Sequence, residues 1–299
     1  MSDPRRGLTG WLFDPWRKPV FLATVTWGYI AWSILPVVIA IAFSFNAGRS
    51  RSAWQGFSTR WWFGTESAQE SLLYSPSLRP AIFQSLRLAI ITTLIAVPLG
   101  TLFAIGLDRW HGRGPGLANF GMLLSFVVPE IILGIALFLF FLFFLEKVVH
   151  LGTVAQILGL ATFQLSYPVI VVRARLLSIG PEYEEAAMDL GGSPTQAVRR
   201  ALFPLLYPAI FASAALVFAD TIDDFVTVRY LSGPASSEPL SVKIYDAARG
   251  SPTPAVNAAA TFMLVATLVV VVVVVFVRRL AGRGQQRKSA TREFVEIQL

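Results

Sequence analysis

Six stretches of the chain stay apolar over the roughly 20 residues that a helix needs to cross a bilayer. They run over 27–45, 81–107, 117–145, 153–172, 205–228 and 255–277. None alternates apolar with polar positions as a half-buried strand would. The β-branched run from Val269 to Val275 belongs to a stretch too long and too uniform for one. The pattern predicts an all-α, polytopic membrane fold of six transmembrane helices. Pro36, Pro98, Pro129, Pro168 and Pro208 fall inside these spans, where kinks are tolerated once neighbouring helices re-satisfy the backbone. This divides the chain into a polar segment 1–26, a membrane domain 27–277 and a basic tail 278–299.

The longest polar interruption with legible local chemistry is 173–204, RARLLSIGPEYEEAAMDLGGSPTQAVRRALFP. Pro181 suits a first helical position, and Glu182, Glu184 and Glu185 put negative charge at a helix N-terminus. Tyr183, Ala186, Ala187 and Leu190 recur at three- and four-residue spacing, giving one small apolar face. Gly191 and Gly192 stop that helix, Ser193 is a good N-cap, and Pro194 opens a second short helix carrying Arg199 and Arg200. Two short helices joined at a glycine turn are expected at a membrane surface, where a partner docks.

Composition agrees with the apolar pattern. Of 299 residues 55% are hydrophobic and 14% charged, and the mean hydropathy is +0.61, too little charge to cover a soluble domain. There is no cysteine, which removes disulfides and thiolate metal sites. His111 and His150 lie far apart, which removes the usual zinc-hydrolase patterns. The net charge of +7 does not point to nucleic acid, because the cations cluster beside hydrophobic spans as topology-setting loop charges do. With the N-terminus inside, sixteen lysines and arginines face the cytoplasm against eight outside, so both termini and the 173–204 stretch are expected there. Trp11, Phe13 and Trp16 suit either the membrane interface or a mobile tail. The long charged lead and a full first span argue against a cleaved signal peptide. In the outer loop 47–80, Trp54, Phe57, Trp61 and Trp62 suit an interface or a partner. The SVKIYDAA piece is expected to form a small helix at the outer mouth.

No GxxxxGK[ST] loop, GxSxG or HExxH occurs, so neither P-loop ATP binding nor these covalent or metal chemistries are expected of this chain. Intramembrane charges are costly and mark a pathway or a partner. Arg87 lies inside the second span, where it either snorkels to the outer interface or faces a partner. Glu130 follows Pro129, and a bend there would aim it into the bundle. Asp220 and Asp224 share a helical face at i,i+4 with Asp223 beside them. Three carboxylates this close raise each other's pKa or attract a cation. Either they line a cation pathway, or one or two pair with Arg229 or sit at the outer rim.

Glu185, Ala186, Ala187, Gly191 and Pro204 stand at the spacing of the EAA loop of ABC-importer permeases. Ala201 and Phe203 replace the usual isoleucine and leucine. SFNAGRS, WQGFSTRWW, VPEIILGIAL, DDFVTVRYLSGP and PLSVKIYDAARGSPTPAVNA extend the likeness, so the chain resembles the second permease subunit of spermidine/putrescine importers from about residue 36 to 260. The resemblance implies a type I permease with coupling helices between the fourth and fifth spans. It implies ATPase coupling by the five loop residues named above and acidic pathway positions at Glu130, Asp223 and Asp224, to which the spacing within the fifth span adds Asp220 as a candidate. It also implies two ATPase subunits that hold ATP and Mg, a second, different permease subunit and an external solute-binding protein. No cofactor or catalysis is implied for this chain itself, and the location implied is a bacterial inner membrane. Related permeases carry iron, sulfate, thiosulfate or opine-like solutes, so cargo stays open. A secondary transporter or channel without an ATPase would also explain the acids but would leave 181–203 without a purpose. A scaffold without a solute would leave the acids themselves unexplained.

Overall fold

The computed structural model describes residues 20–50, 53–64, 71–110, 112, 114–250 and 253–296. Trp11, Phe13 and Trp16 lie outside them. Among the described residues no strand forms, and an isolated bridge pairs Asn46 with Phe57. Helices run over α1 (Val20–Phe43), α2 (Arg60–Phe63), α3 (Leu78–Arg109), α4 (Gly114–Val127), α5 (Glu130–Phe144), α6 (Thr153–Gln164), α7 (Ser166–Ile179) and α8 (Glu182–Asp189). They continue with α9 (Pro194–Ala197), α10 (Phe203–Asp223), α11 (Val226–Leu231), α12 (Leu240–Arg249) and α13 (Pro254–Glu296).

Among the described residues five helices are long and apolar enough to cross a membrane: Val20–Phe43, Leu78–Arg109, Thr153–Ile179, Pro194–Asp223 and Pro254–Val277. The third apolar stretch, expected as one span, is instead the pair α4 and α5. Pro129 sits between them in extended backbone, φ −55° and ψ 131°, because the residues around a proline resist continuing a helix. The fifth stretch also breaks, at Asp224 (φ −52°, ψ 125°), and chain that was expected to continue the span forms α11 instead. α6 and α7 run on through Leu165, which keeps helical φ and ψ.

The core of the bundle is α3 packed against α6, α7 and α10, with α10 also touching α7 and α13. Leu107, Val172, Leu176, Leu202 and Leu206 fill one end of it. Gly100 lets α3 approach α7 where a side chain would collide with the Pro168 ring. α1 has no buried residue and touches α13. The outer-loop aromatics fold into their own cluster. Trp61 is fully buried and donates its indole N–H to the Asn46 carbonyl at 2.7 Å, and Phe45 stacks between Phe57 and Trp62. The expected SVKIYDAA helix forms as α12, with Leu240 and Val242 buried.

Candidate functional site

The acidic residues come together where three helix ends meet. Asp220 lies on the last turn of α10 and Asp223 ends it. Glu130 opens α5 just after the Pro129 bend, as the sequence anticipated. The expected i,i+4 face does not exist, because Asp224 lies past the end of α10 with its backbone extended. Its carboxylate turns instead to the next helix and accepts the Val228 N–H of α11 at 3.2 Å. Its carbonyl accepts from Ser241 Oγ of α12 at 2.6 Å. Asp224 is thereby buried, with the Glu130 carboxyl beside it and Asp220 and Asp223 near Glu130. Carboxylates this close repel one another unless a cation or a proton lies between them.

The alternative in which Arg229 neutralises the group does not hold. Arg229 reaches Asp246 at 3.0 Å and Glu238 at 3.7 Å, and Glu238 also pairs with Lys243. The ion pairs among the described residues leave Glu130, Asp220, Asp223 and Asp224 aside. Asp220 is held by neutral donors, Gln164 Nε2 at 2.7 Å and the Tyr167 hydroxyl at 3.1 Å. Phe225 carries the ring of Tyr245 at 4.2 Å between centroids, an aromatic pair one residue from Asp224. Gln164 and Tyr167 were not singled out in the sequence, although an amide inside an apolar span was a readable signal. Arg87 is exposed on α3.

At the other end of α10, the polar stretch folds as its punctuation demands. Pro181 takes the cap position of α8 and not its first turn. The C-terminus closes by a paired set of bonds, Gly192 N–H to Ala187 O at 3.0 Å and Gly191 N–H to Met188 O at 2.8 Å. Gly191 adopts φ +85°, the left-handed conformation that this closure requires and that glycine takes without penalty. Ser193 and Gln196 then form a reciprocal capping box for α9. The second short helix is not separate, because one π-helical turn over Val198–Leu202 carries it straight into α10. That wider turn lies just ahead of Pro204, whose ring would clash within a regular α-ladder. One free short helix and the foot of a long one therefore stand where two short helices were expected.

Glu185, Ala186 and Gly191 are exposed, Ala187 and Pro204 half-buried. Beside them Tyr183 is 55% and Leu190 91% exposed, leaving apolar side chains with no cover from this chain. Glu184 points the opposite way. It is buried and paired with Arg109, a contact that the sequence reading did not anticipate.

A family model described as the binding-protein-dependent transport system inner membrane component matches residues 96–287. The chain is 32% identical over 254 residues, 85% of its length and 92% of the relative's, to the spermidine/putrescine transport system permease protein PotC of Escherichia coli (strain K12). It is 30% identical over 256 residues, 84% of its length and 86% of the relative's, to the putrescine transport system permease protein PotI of the same strain. The fold is similar to that of a bacterial alginate ABC transporter crystallised with an alginate pentasaccharide-bound periplasmic protein. The TM-score is 0.66 at 20% identity, covering 91% of this chain and 96% of that one. The inward-facing MetNI methionine ABC transporter gives a TM-score of 0.57 at 16% identity, over 69% of this chain and 96% of that one. With several membrane-length helices and these relatives, the chain is a multi-pass transport component, and it belongs to the family of inner-membrane components of binding-protein-dependent transport systems.

Proposed function

We propose that this chain is one half of the translocation pathway of an ATP-driven importer for polyamines such as spermidine and putrescine. The observation that carries it is the convergence of Glu130, Asp220, Asp223 and Asp224 without an internal cation. A solute with several ammonium groups matches several carboxylates in sequence along a path, and the aromatic Phe225–Tyr245 pair suits its methylene segments. The relatives named for spermidine and putrescine transport support the same cargo.

In this reading the chain crosses the membrane six times, with α4 and α5 together making the third crossing and both termini in the cytoplasm. α8 and the foot of α10 dock, through Glu185, Ala186, Ala187, Gly191 and Pro204, onto one of two ATPase subunits that hold ATP and Mg. A different permease subunit supplies the other half of the path, and an external binding protein delivers the solute. ATP binding closes the ATPase pair, the docking element carries that movement to the helices, and the path opens outward. Hydrolysis resets it. The chain needs no cofactor of its own for these steps.

The test is uptake of labelled spermidine into vesicles containing the assembled complex. The double substitution Asp223→Asn with Asp224→Asn is expected to lower uptake about tenfold or more. A hydrogen bond to a charged group contributes about 1.5–3 kcal/mol, and a factor of ten takes about 1.4 kcal/mol. Co-purification of the ATPase should stay as in the unaltered chain. An equal loss of uptake and assembly would make the acids structural, and normal uptake would remove them from the path.

A further inference from the structure

We propose that Arg109 is a positioning residue that couples the docking helix to the membrane bundle by gripping α8 and the turn before it in one fork. This rests on the reading of α8 as the element an ATPase moves. Arg109 is the last residue of α3. Its Nη2 lies 2.6 Å from Glu184 Oε2, and its Nε donates to the same oxygen at 2.9 Å. Nη2 also donates to the Gly180 carbonyl at 3.1 Å, and Nη1 meets Asp108 Oδ2 at 2.5 Å. All three guanidinium nitrogens are thus engaged. The planar fork holds the first turn of α8 and the residue that ends α7 at fixed distances from the end of α3.

Burial makes this grip differ from a surface ion pair. The side chains of Glu184 and Asp108 are 10% and 8% exposed and that of Arg109 25%, so solvent screens the pair far less than an exposed one. Neighbouring Glu185 lies about 100° around the helix and is exposed. One carboxylate of the Glu184-Glu185 pair therefore faces inward to the bundle and the other outward to a partner.

α3 is also the helix through which a displacement of α8 would reach the acids. Ser85, 24 residues before Arg109 and so about 36 Å along the helix, accepts the Leu240 N–H of α12 through its Oγ at 2.8 Å. The adjacent Ser241 holds the Asp224 carbonyl. A rigid element bonded at one end to the docking helix and at the other to the frame of the acidic site can move both ends together. A surface contact on α8 alone could not.

The experiment uses the complete transporter in vesicles and reads spermidine imported per ATP hydrolysed, alongside the amount of ATPase that co-purifies. Arg109→Gln and Glu184→Gln are each expected to lower that ratio at least fivefold, the lower range of coupling between sites, with ATPase association unchanged. Because the two residues act through one contact, the double variant should be no worse than the poorer single one. Arg109→Lys should recover part of the ratio, since an ammonium keeps the charge but not the fork. An unchanged ratio in both single variants overturns the proposal, and so does additive loss in the double one. Loss of the ATPase, or failure of the Gln variants to reach the membrane, also overturns it by making the pair a docking or folding contact. If the unaltered chain retains no ATPase and ATP does not drive its uptake, the underlying importer reading falls instead.

Discussion

Gln156 is fully buried and spends its whole amide inside the bundle. Its Nε2 faces the Val228 carbonyl at 3.3 Å, Ser232 Oγ at 3.0 Å and the Ser237 carbonyl at 3.0 Å, and its Oε1 accepts from Gln84 at 2.9 Å. Gln84 also donates to Thr153 Oγ1 at 2.9 Å. This network joins α3, α6, α11 and the turn before α12, the segments that frame Asp224. Replacing Gln156 with Leu would take one of two partners from the Gln84 amide and from the Val228 carbonyl, and would leave the Ser237 carbonyl without its amide donor, at about 1–3 kcal/mol for that group. Thermal unfolding in detergent should show a clear drop in midpoint for Gln156→Leu, and a much smaller one for the exposed Ser236→Ala. Equal midpoints would mean that water replaces the amide without cost. The same accounting separates Glu184 from Glu185, adjacent residues of one type that the helix turns to opposite environments.

α8 is short, and its closure is what holds it. Eight residues of α8 could not persist alone in water, so the glycine closure, the Ser193–Gln196 box and the Arg109 contacts hold it in place of length. The surface at Gly191 is open, because nothing lies within 4 Å of the Cβ that a side chain would add. Gly191→Trp pays about 1–2 kcal/mol for its left-handed backbone, too little to unfold the bundle, and its ring projects outward from α8. The expected result is normal membrane insertion with strongly reduced solute uptake per ATP hydrolysed in reconstituted vesicles. Unimpaired uptake would remove this turn from the docking surface. The broken third stretch follows the same logic at another element. Pro129 ends α4, and the gap brings Glu130 to the start of α5 beside α11, where Gly134 leaves room for Tyr230.

Two long helices tie the ends of the molecule together. Pro194–Asp223 is 30 residues long, about 45 Å, with the Ser193–Gln196 cap at its foot and Asp220 and Asp223 at its head. α3 runs beside it with Arg109 at one end and Ser85 near the other. Force applied at one end therefore meets packed helix along its whole path, which suits a component moved by a separate motor. The orientation of this axis is testable because the chain has no cysteine, so one introduced thiol reports alone. Ser236→Cys should react with a membrane-impermeant maleimide in intact cells, and Ser289→Cys only after permeabilisation. The reverse pattern would turn the molecule over and move the docking element outside.

Length and hydropathy by themselves determined the helical class and the membrane setting, since about 20 apolar residues with no alternation leave few other solutions. Proline, glycine and capping residues determined the local form of 181–197, because those preferences act within one or two turns. Whether a helix continues depends on its neighbours, and there the reading fell short. It carried the third and fifth stretches through Pro129 and Asp224, and it cut the α9–α10 helix that a π-helical turn keeps whole. It grouped Asp220, Asp223 and Asp224 and named Glu130 as a further pathway candidate, but placed Asp224 on the wrong face, because a helical register extrapolates only while the helix lasts. The partners of those acids, and the pairing of Arg109 with Glu184 across 75 residues of chain, came from tertiary packing alone. Periodicity carries information over a few turns, whereas which buried carboxylate finds a donor is decided by residues that are distant in sequence and adjacent in space.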